Sequence, residues 1–254
     1  MKNKLRMRNI LPAILHLGTA IAVAKKEFSE NLRWHDTPAD APYTRLFDAE
    51  TIARAYSGHI APIVRERLAQ AGHFIAVNNS RVCIMRCIDF EHGARHVELF
   101  RIYPKCPDVM DTLLKAINDY PDSSILVSSN GDGNLVVNEL RKRGIFHTSI
   151  HWGCGCFGEK NYKQYANKRA QAYGYMAHAM YLGNVRINTA EKKADIQAQL
   201  ASITQSQDSL LRIKVISKSD LISAGHQEPD IADVLAFAFL EGMNMPKPVQ
   251  TEGV

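Results

Sequence analysis

The sequence predicts an α/β fold in which a central mixed sheet is flanked by helices on both faces. Three strand-like segments follow one another with no helix between them, at residues 73–79, 81–90 and 95–103. Beyond residue 108, segments with the helical period alternate with short apolar runs, the order expected when helices cover a sheet. We therefore expect the early strands to pair antiparallel and the later strands to join in parallel.

The predicted strands are rich in β-branched and aromatic residues, which favour extended backbone. HFIAVNN, RVCIMRCIDF and RHVELFRIY form the first three, and the short link at His92-Gly93 suits a hairpin between the last two. Two later apolar runs, at 123–129 and 146–152, predict buried strands, and 210–220 has the character of a further strand. These runs supply the expected sheet.

Capping residues mark several of the predicted helices. Asp48 is placed to cap a helix that continues to about Tyr56, and Pro62 is placed to open a second helix that Gly72 would end. The remaining helices are predicted at 108–120, 134–143, 161–187, 190–203 and 228–242. Of these, the helix at 161–187 is basic and aromatic, and the last one is apolar behind an acidic start.

The composition is that of an ordinary globular protein. The 254 residues, 46% hydrophobic and 22% charged, can bury a substantial core in one or two domains. A net charge of +5 and a pI near 8.9 suit a polyanionic partner. Five unevenly spaced cysteines favour a reducing compartment over a disulfide framework, and the sequence has no G-x-x-x-x-G-K-(S/T) phosphate loop.

Four short motifs occur in one order along the second half of the chain. Ser-Ser-Asn-Gly-Asp-Gly (128–133) follows a predicted strand, and Asn-Lys-Arg-Ala-Gln (167–171) lies in the basic helix. Ser217-Lys218 comes next, and Pro-Asp-Ile-Ala-Asp (229–233) opens the last helix. In this order the motifs resemble the C-terminal nuclease domain of the large terminase subunit of tailed bacteriophages. The resemblance covers about residues 70–243 and implies a ribonuclease H-like fold that cuts concatemeric DNA during packaging.

The resemblance also implies a catalytic site for Mg²⁺ or Mn²⁺ at two strand ends and on the last helix. It places these positions at Asn78, Ser128 and Asp233, with Lys218 near the scissile phosphate or balancing the carboxylates. Only Asp233 is a carboxylate, and these hard cations prefer anionic oxygen ligands. We therefore predict a degenerate nuclease, or pseudoenzyme, with weak or no cleavage. The alternative is an active enzyme on rearranged ligands.

Two further acidic residues are candidate metal ligands. A two-residue shift of register would put Asn130 at the strand end instead of Ser128, with Asp132 beside it as a displaced ligand. Asp230 lies three residues before Asp233, so both carboxylates can share one helix face. The competing interpretations are turn formation in the first case and helix N-terminal capping in the second.

The basic helix is a candidate DNA-binding element. Lys163, Lys168 and Arg169 lie near its start and are interleaved with tyrosines. Such cations attract phosphates without regard to base sequence, so we predict that these three residues contact double-stranded DNA. The alternative is a solvated helix face with no ligand.

The N-terminal region has a composition of its own. Basic residues precede an apolar run at 10–24, a pattern typical of a secretory signal but also of a helix that docks on the protein body. We divide the chain into an N-terminal helical extension and linker (1–70), a ribonuclease H-like nuclease-type domain (71–243) and a flexible tail (244–254). The expected location is the bacterial cytoplasm, with no membrane, and export is the alternative if the run is a signal.

The sequence thus predicts a terminase nuclease-like domain that acts on double-stranded DNA in phage or prophage packaging and lacks the ATPase motor. The resemblance implies a separate terminase ATPase, the small terminase subunit or the portal as partners. One alternative is a non-enzymatic scaffold of the same fold that binds DNA or proteins. Another is a stand-alone ribonuclease H-like nuclease or resolvase.

Overall fold

The computed structural model describes residues 44–57, 68–90, 95–105 and 108–240. The strands are β1 (Thr44–Arg45), β2 (Leu68–Asn78), β3 (Arg81–Phe90), β4 (Arg95–Ile102), β5 (Ser124–Ser128), β6 (Thr148–Ile150), β7 (Val185–Ile187), β8 (Thr204–Gln207) and β9 (Ile213–Val215). The helices are α1 (Ala49–Tyr56), α2 (Val109–Asp119), α3 (Gly133–Lys142), α4 (Glu159–Gln164), α5 (Lys168–Tyr181), α6 (Lys193–Ser202), α7 (Lys218–Ser223) and α8 (Asp230–Phe237). The apolar run at 10–24 and the predicted tail at 244–254 lie outside these residues.

A six-stranded mixed sheet with the strand order β6-β5-β2-β3-β4-β7 forms the centre of the fold. Strands β2, β3 and β4 pair antiparallel, whereas β5 runs parallel to β2, β6 to β5 and β7 to β4. This confirms the predicted mixed sheet, with its antiparallel strands first and its parallel strands after them. A smaller antiparallel sheet with the order β1-β8-β9 lies beside the helices of the C-terminal half.

Helices cover both faces of the central sheet. On one face, α2 and α3 pack on alternate residues of β2 and β5, which include Ile75, Val77 and Val127. Because side chains alternate along a strand, Asn78 belongs to the opposite face, where its amide contacts α8. Every residue of α8 is buried, which explains the apolar character of the last helix. Among the described residues, no helix has the length and apolar character that a membrane crossing requires.

Helix caps follow the sequence signals closely. The side chain of Asp48 accepts a hydrogen bond from the Thr51 amide at 2.6 Å and caps α1, as predicted. Ser217 caps α7 in the same way, accepting from the Asp220 amide at 3.1 Å. Gly144, with φ of +67°, follows α3 in the left-handed conformation that ends many helices.

The prediction of a single basic helix at 161–187 is wrong, because the segment forms two helices and a strand. After α4, Tyr165 is extended and bridges to Ile213, which interrupts the helical hydrogen bonds. Asn167 then caps α5 by accepting from the Ala170 amide at 2.9 Å. Gly183, with φ of +76°, precedes β7. The motif that begins at Asn167 is therefore a helix start, and the preference of Asn for this position is the signal that could have shown it.

Two other boundaries differ from the prediction. The helix expected to continue to Gly72 does not do so, because β2 already begins at Leu68 and pairs with β3 along its whole length. Of the segment 210–220, which was predicted to be a strand, only β9 is extended. Its last residues belong to helix α7. Strand β8 was not predicted because its sequence, TQSQ, has no apolar alternation.

Candidate functional site

The ends of two parallel strands bring Asn78 and Ser128 to the same edge of the sheet. Val77 of β2 pairs with Val127 of β5, so the next residue of each strand emerges at neighbouring positions. Asn78 is fully buried and Ser128 is 1% exposed. Asn78 donates a hydrogen bond from Nδ2 to the carbonyl of Asp230 at 3.2 Å, whereas the Ser128 hydroxyl has no partner in the described part of the chain.

Asp233 reaches this edge from α8, and three side chains hold its fully buried carboxylate. Arg169 Nε and the Tyr173 hydroxyl both donate to Oδ1, at 3.0 and 2.8 Å. The ammonium of Lys218 forms an ion pair with Oδ2 at 3.0 Å. Asp233 is therefore paired with two protein cations, an arrangement that offsets the cost of burying its charge.

These contacts keep Asp233 ionised. Burial opposes ionisation, but the charges of Arg169 and Lys218 outweigh it, and the pKa of Asp233 lies below its ordinary value. Burial and the negative charge of Asp233 both raise the pKa of Tyr173, whose hydroxyl therefore stays a protonated donor. The carboxylate is an anion whose charge the protein itself compensates.

Arg169 is an internal residue and is only 7% exposed. Its guanidinium binds Asp233, donates from Nη1 to the carbonyl of Ile216 and lies 5.0 Å from the centroid of the Tyr173 ring. Its Nη2 has no acceptor among the residues that the structure covers. The guanidinium is therefore buried against Asp233, and its positive charge compensates that carboxylate.

Lys218 places its ammonium among three oxygens. Asp233 Oδ2 lies at 3.0 Å, Asn78 Oδ1 at 3.4 Å and Glu228 Oε1 at 3.6 Å from Nζ. Glu228 also accepts a hydrogen bond from Asn79, just beyond β2. The sequence interpretation did not select Glu228, although its place immediately before the Pro229-Asp230 motif was a signal.

Asp230 binds a different set of partners from Asp233. Its Oδ2 lies 3.3 Å from Arg81 Nε and 3.2 Å from Lys105 Nζ, and its Oδ1 accepts from Gln199 Nε2 at 2.8 Å. The carboxylate thereby ties the start of α8 to β3 and α6. Both carboxylate oxygens of Asp230 are therefore engaged by protein groups.

Asp132, the displaced-ligand candidate, is exposed between β5 and α3, where its side chain makes no capping hydrogen bond. The neighbouring Asn130 accepts from the Trp152 amide at 3.0 Å, a loop contact. Within residues 44–240, as far as they are described, no three His, Cys, Asp or Glu side chains are grouped to hold a metal ion. Asp132, Asp230 and Asp233 thus do not form such a group.

These residues do not fit a pair of divalent cations. Two-metal sites need several carboxylates around the ions, whereas both strand ends here carry neutral side chains, Glu228 pairs with Lys218, and α8 contributes one carboxylate that reaches this edge. That carboxylate, Asp233, is already paired with Arg169 and Lys218. The charge of the carboxylate at this edge is therefore already compensated by protein cations.

Gly133 sets how closely α3 approaches the end of β5. A Cβ atom at this position would lie 1.8 Å from the Ser128 carbonyl oxygen, which belongs to the backbone and cannot rotate away. Gly153, in contrast, has open surroundings, with its nearest neighbour the His151 ring at 3.7 Å. The first glycine is therefore required by packing and the second is not.

We expect Gly133→Ala to lower the free energy of unfolding by about 3 kcal/mol or more, because the helix must move off the strand end. Gly153→Ala should change it by less than about 1 kcal/mol. Urea denaturation followed by circular dichroism measures both values. Equal effects of the two substitutions would show that the close approach of α3 to Ser128 is incorrect.

Comparison with solved structures supports the same fold. The chain is similar to a mutant nuclease domain of the large terminase subunit gp2 of bacterial virus Sf6 with manganese (TM-score 0.60, 15% identity, 77% of this chain and 99% of that chain). The Sf6 nuclease domain itself gives a TM-score of 0.58 at 15% identity, with 77% of this chain and 98% of that chain covered. The chain has the fold of a large-terminase nuclease domain. This confirms, for the fold, the resemblance drawn from the motifs.

A further Sf6 mutant, with calcium, gives a TM-score of 0.58 at 14% identity and covers 77% of this chain and 99% of that chain. Two of these similar structures therefore contain a divalent cation, manganese or calcium. In this chain, Arg169 and Lys218 balance the charge of Asp233. The sequence matches no protein-family model and no curated protein.

The remaining DNA-binding candidates are Lys163, in α4, and Lys168, the first residue of α5. Lys163 is exposed, as is Lys160 one turn earlier, and the Tyr162 side chain between them is 51% exposed. Lys168 is half-buried, with its ammonium 4.3 Å from the centroid of the Phe157 ring. We refer to Lys160, Tyr162, Lys163 and Lys168 as the basic surface.

Proposed function

We propose that this chain is a nuclease-fold protein of bacteriophage or prophage DNA packaging that binds double-stranded DNA without cleaving it. The fold likeness to the Sf6 nuclease domain supports the packaging role. One observation supports the loss of cleavage: the carboxylate at the strand ends, Asp233, is neutralised by Arg169 and Lys218. Asn78 and Ser128 add no negative charge.

Energetics favour the protein cations over a metal at this position. A divalent cation at Asp233 would have to displace Lys218, and it would then face the positive charge of Arg169 3.0 Å from the same carboxylate. That exchange gives up the 3.0 Å ion pair between Lys218 and Asp233 and leaves the metal beside the Arg169 guanidinium. Asn78 and Ser128, as neutral ligands, recover little of that cost for a hard cation.

Double-stranded DNA is the partner that the charge distribution favours. The basic surface comprises three lysines and an exposed tyrosine, and the whole chain carries a net charge of +5. Lysines contact backbone phosphates without reading the base sequence, so the binding is sequence-independent. In this role, a terminase ATPase, the small terminase subunit or the portal would be the protein partners.

DNA binding is expected to need no metal and to depend strongly on salt. The affinity for a fluorescent duplex, measured by anisotropy, should be no higher in Mg²⁺ than in EDTA at matched ionic strength, because Mg²⁺ only competes for the phosphates. In the double variant Lys163→Ala/Lys168→Ala, the slope of log K against log salt should fall by about 1–2, because each phosphate contact contributes about 0.9.

A matched control removes two positive charges elsewhere. Lys115 and Lys192 are exposed and pair with carboxylates three or four residues away. Their double replacement with alanine should leave the salt slope nearly unchanged. An equal fall in the salt slope for both double variants would show that the change in net charge alone causes the effect. A requirement of DNA binding for Mg²⁺ would contradict the proposal itself.

A further inference from the structure

Three separate segments contribute an oxygen to the surroundings of the Lys218 ammonium. Asn78 Oδ1 comes from the end of β2, Glu228 Oε1 from the turn before α8, and Asp233 Oδ2 from α8 itself, at 3.4, 3.6 and 3.0 Å. Two of the three oxygens belong to carboxylates. Oxygens gathered around one positive charge are the arrangement of a cation site, and here the cation is part of the chain.

We propose that the ammonium of Lys218 is the permanent, tethered occupant of this cation site and takes the place that a divalent metal would have. This inference rests on the proposed non-cleaving function. The surrounding charges balance, because Lys218 and Arg169 oppose Glu228 and Asp233. A divalent cation entering beside the ammonium would add positive charge that no further carboxylate compensates.

The tether gives the ammonium a large advantage over free ions. An intramolecular partner acts at an effective concentration on the order of millimolar or more, independent of the solution. Lys218 is also held in place, since it is the first residue of α7 and directly follows the capping residue Ser217. Free Mg²⁺ or Mn²⁺ must therefore displace a pre-positioned cation to enter.

The substitution Lys218→Met keeps an unbranched side chain, one atom shorter, and removes the ammonium charge, which should open the site to metal. We expect isothermal titration with MnCl₂, without DNA, to give a Kd for Lys218→Met at least about tenfold lower than for the unaltered protein. Adding Asp233→Asn should abolish this gain. Two controls should bind Mn²⁺ no more tightly than the unaltered protein. Lys218→Arg retains a cation, and Lys214→Met alters an exposed lysine of β9.

A second measurement uses the unaltered protein and does not depend on the folding of a variant. The nitrogen-15 NMR signal of the Lys218 ammonium should persist without paramagnetic broadening when Mn²⁺ is added. Its loss would overturn the proposal, and so would a folded Lys218→Met variant that binds Mn²⁺ no better than the unaltered protein. Failure of the proposed function would be visible separately, as absent DNA binding or as DNA cleavage by the unaltered protein.

Discussion

Replacing Asp233 with asparagine is expected to lower the free energy of unfolding by about 3–5 kcal/mol. The substitution keeps the shape of the side chain but leaves the buried Arg169 guanidinium without its counter-ion and the Lys218 ammonium with Glu228 alone. The Tyr173 hydroxyl, which donates to the same carboxylate at 2.8 Å, also loses a charged acceptor. The change should therefore be among the most destabilising single substitutions of a polar residue in this chain.

The matched control is Asp195→Asn. Asp195 pairs with Lys192 at 3.4 Å on the surface of α6 and is 37% exposed, so the substitution should cost less than about 1 kcal/mol. Urea denaturation at pH 7 measures both variants. Similar costs for the two would mean that Asp233 is not the buried counter-ion of Arg169 and Lys218.

The pH dependence of stability gives an independent check. Because the folded-state pKa of Asp233 is lowered, its stabilising contribution is present above the unfolded-state pKa of about 3.9 and is lost as pH falls through the lower folded-state value. The stability difference between the unaltered protein and Asp233→Asn should thus be constant near neutral pH. It should shrink only below about pH 4.

Much of the fold was predictable because its strands carry strong local patterns. The apolar runs that end at Asn78 and Ser128 are unmistakable in the sequence, and the order of the motifs placed the two strand ends near the last helix. The polar strand β8 and the first residues of β2 could not be recognised in this way. Their extended conformation depends on pairing with distant strands, for which the local sequence gives no signal.

The electrostatics of the site were much less predictable than its position. In the sequence, Arg169 stands beside Lys168 in a basic segment, and both residues have the same local context. Their different surroundings arise from the helix break at Asn167 and from a carboxylate 64 residues away from Arg169. A long-range ion pair of this kind leaves no trace in local periodicity, so the prediction of three DNA-contacting cations could not separate the two.

The loss of metal-dependent cleavage is the second large effect that we expect. Phosphodiester hydrolysis by the two-metal route depends on carboxylates that fix the ions and on the field the ions create. In this chain the corresponding strand ends carry an amide and a hydroxyl, and two protein cations neutralise Asp233. The rate of DNA cleavage with the protein should therefore equal the rate in the same solution without it.

A plasmid-relaxation assay with the unaltered protein and Mn²⁺ tests this most directly. We expect supercoiled plasmid to remain supercoiled over hours at protein concentrations that saturate DNA binding, with no difference between Mn²⁺ and EDTA. The contradicting result would be nicked or linear plasmid in Mn²⁺ alone, produced by an activity that elutes with the folded protein in gel filtration.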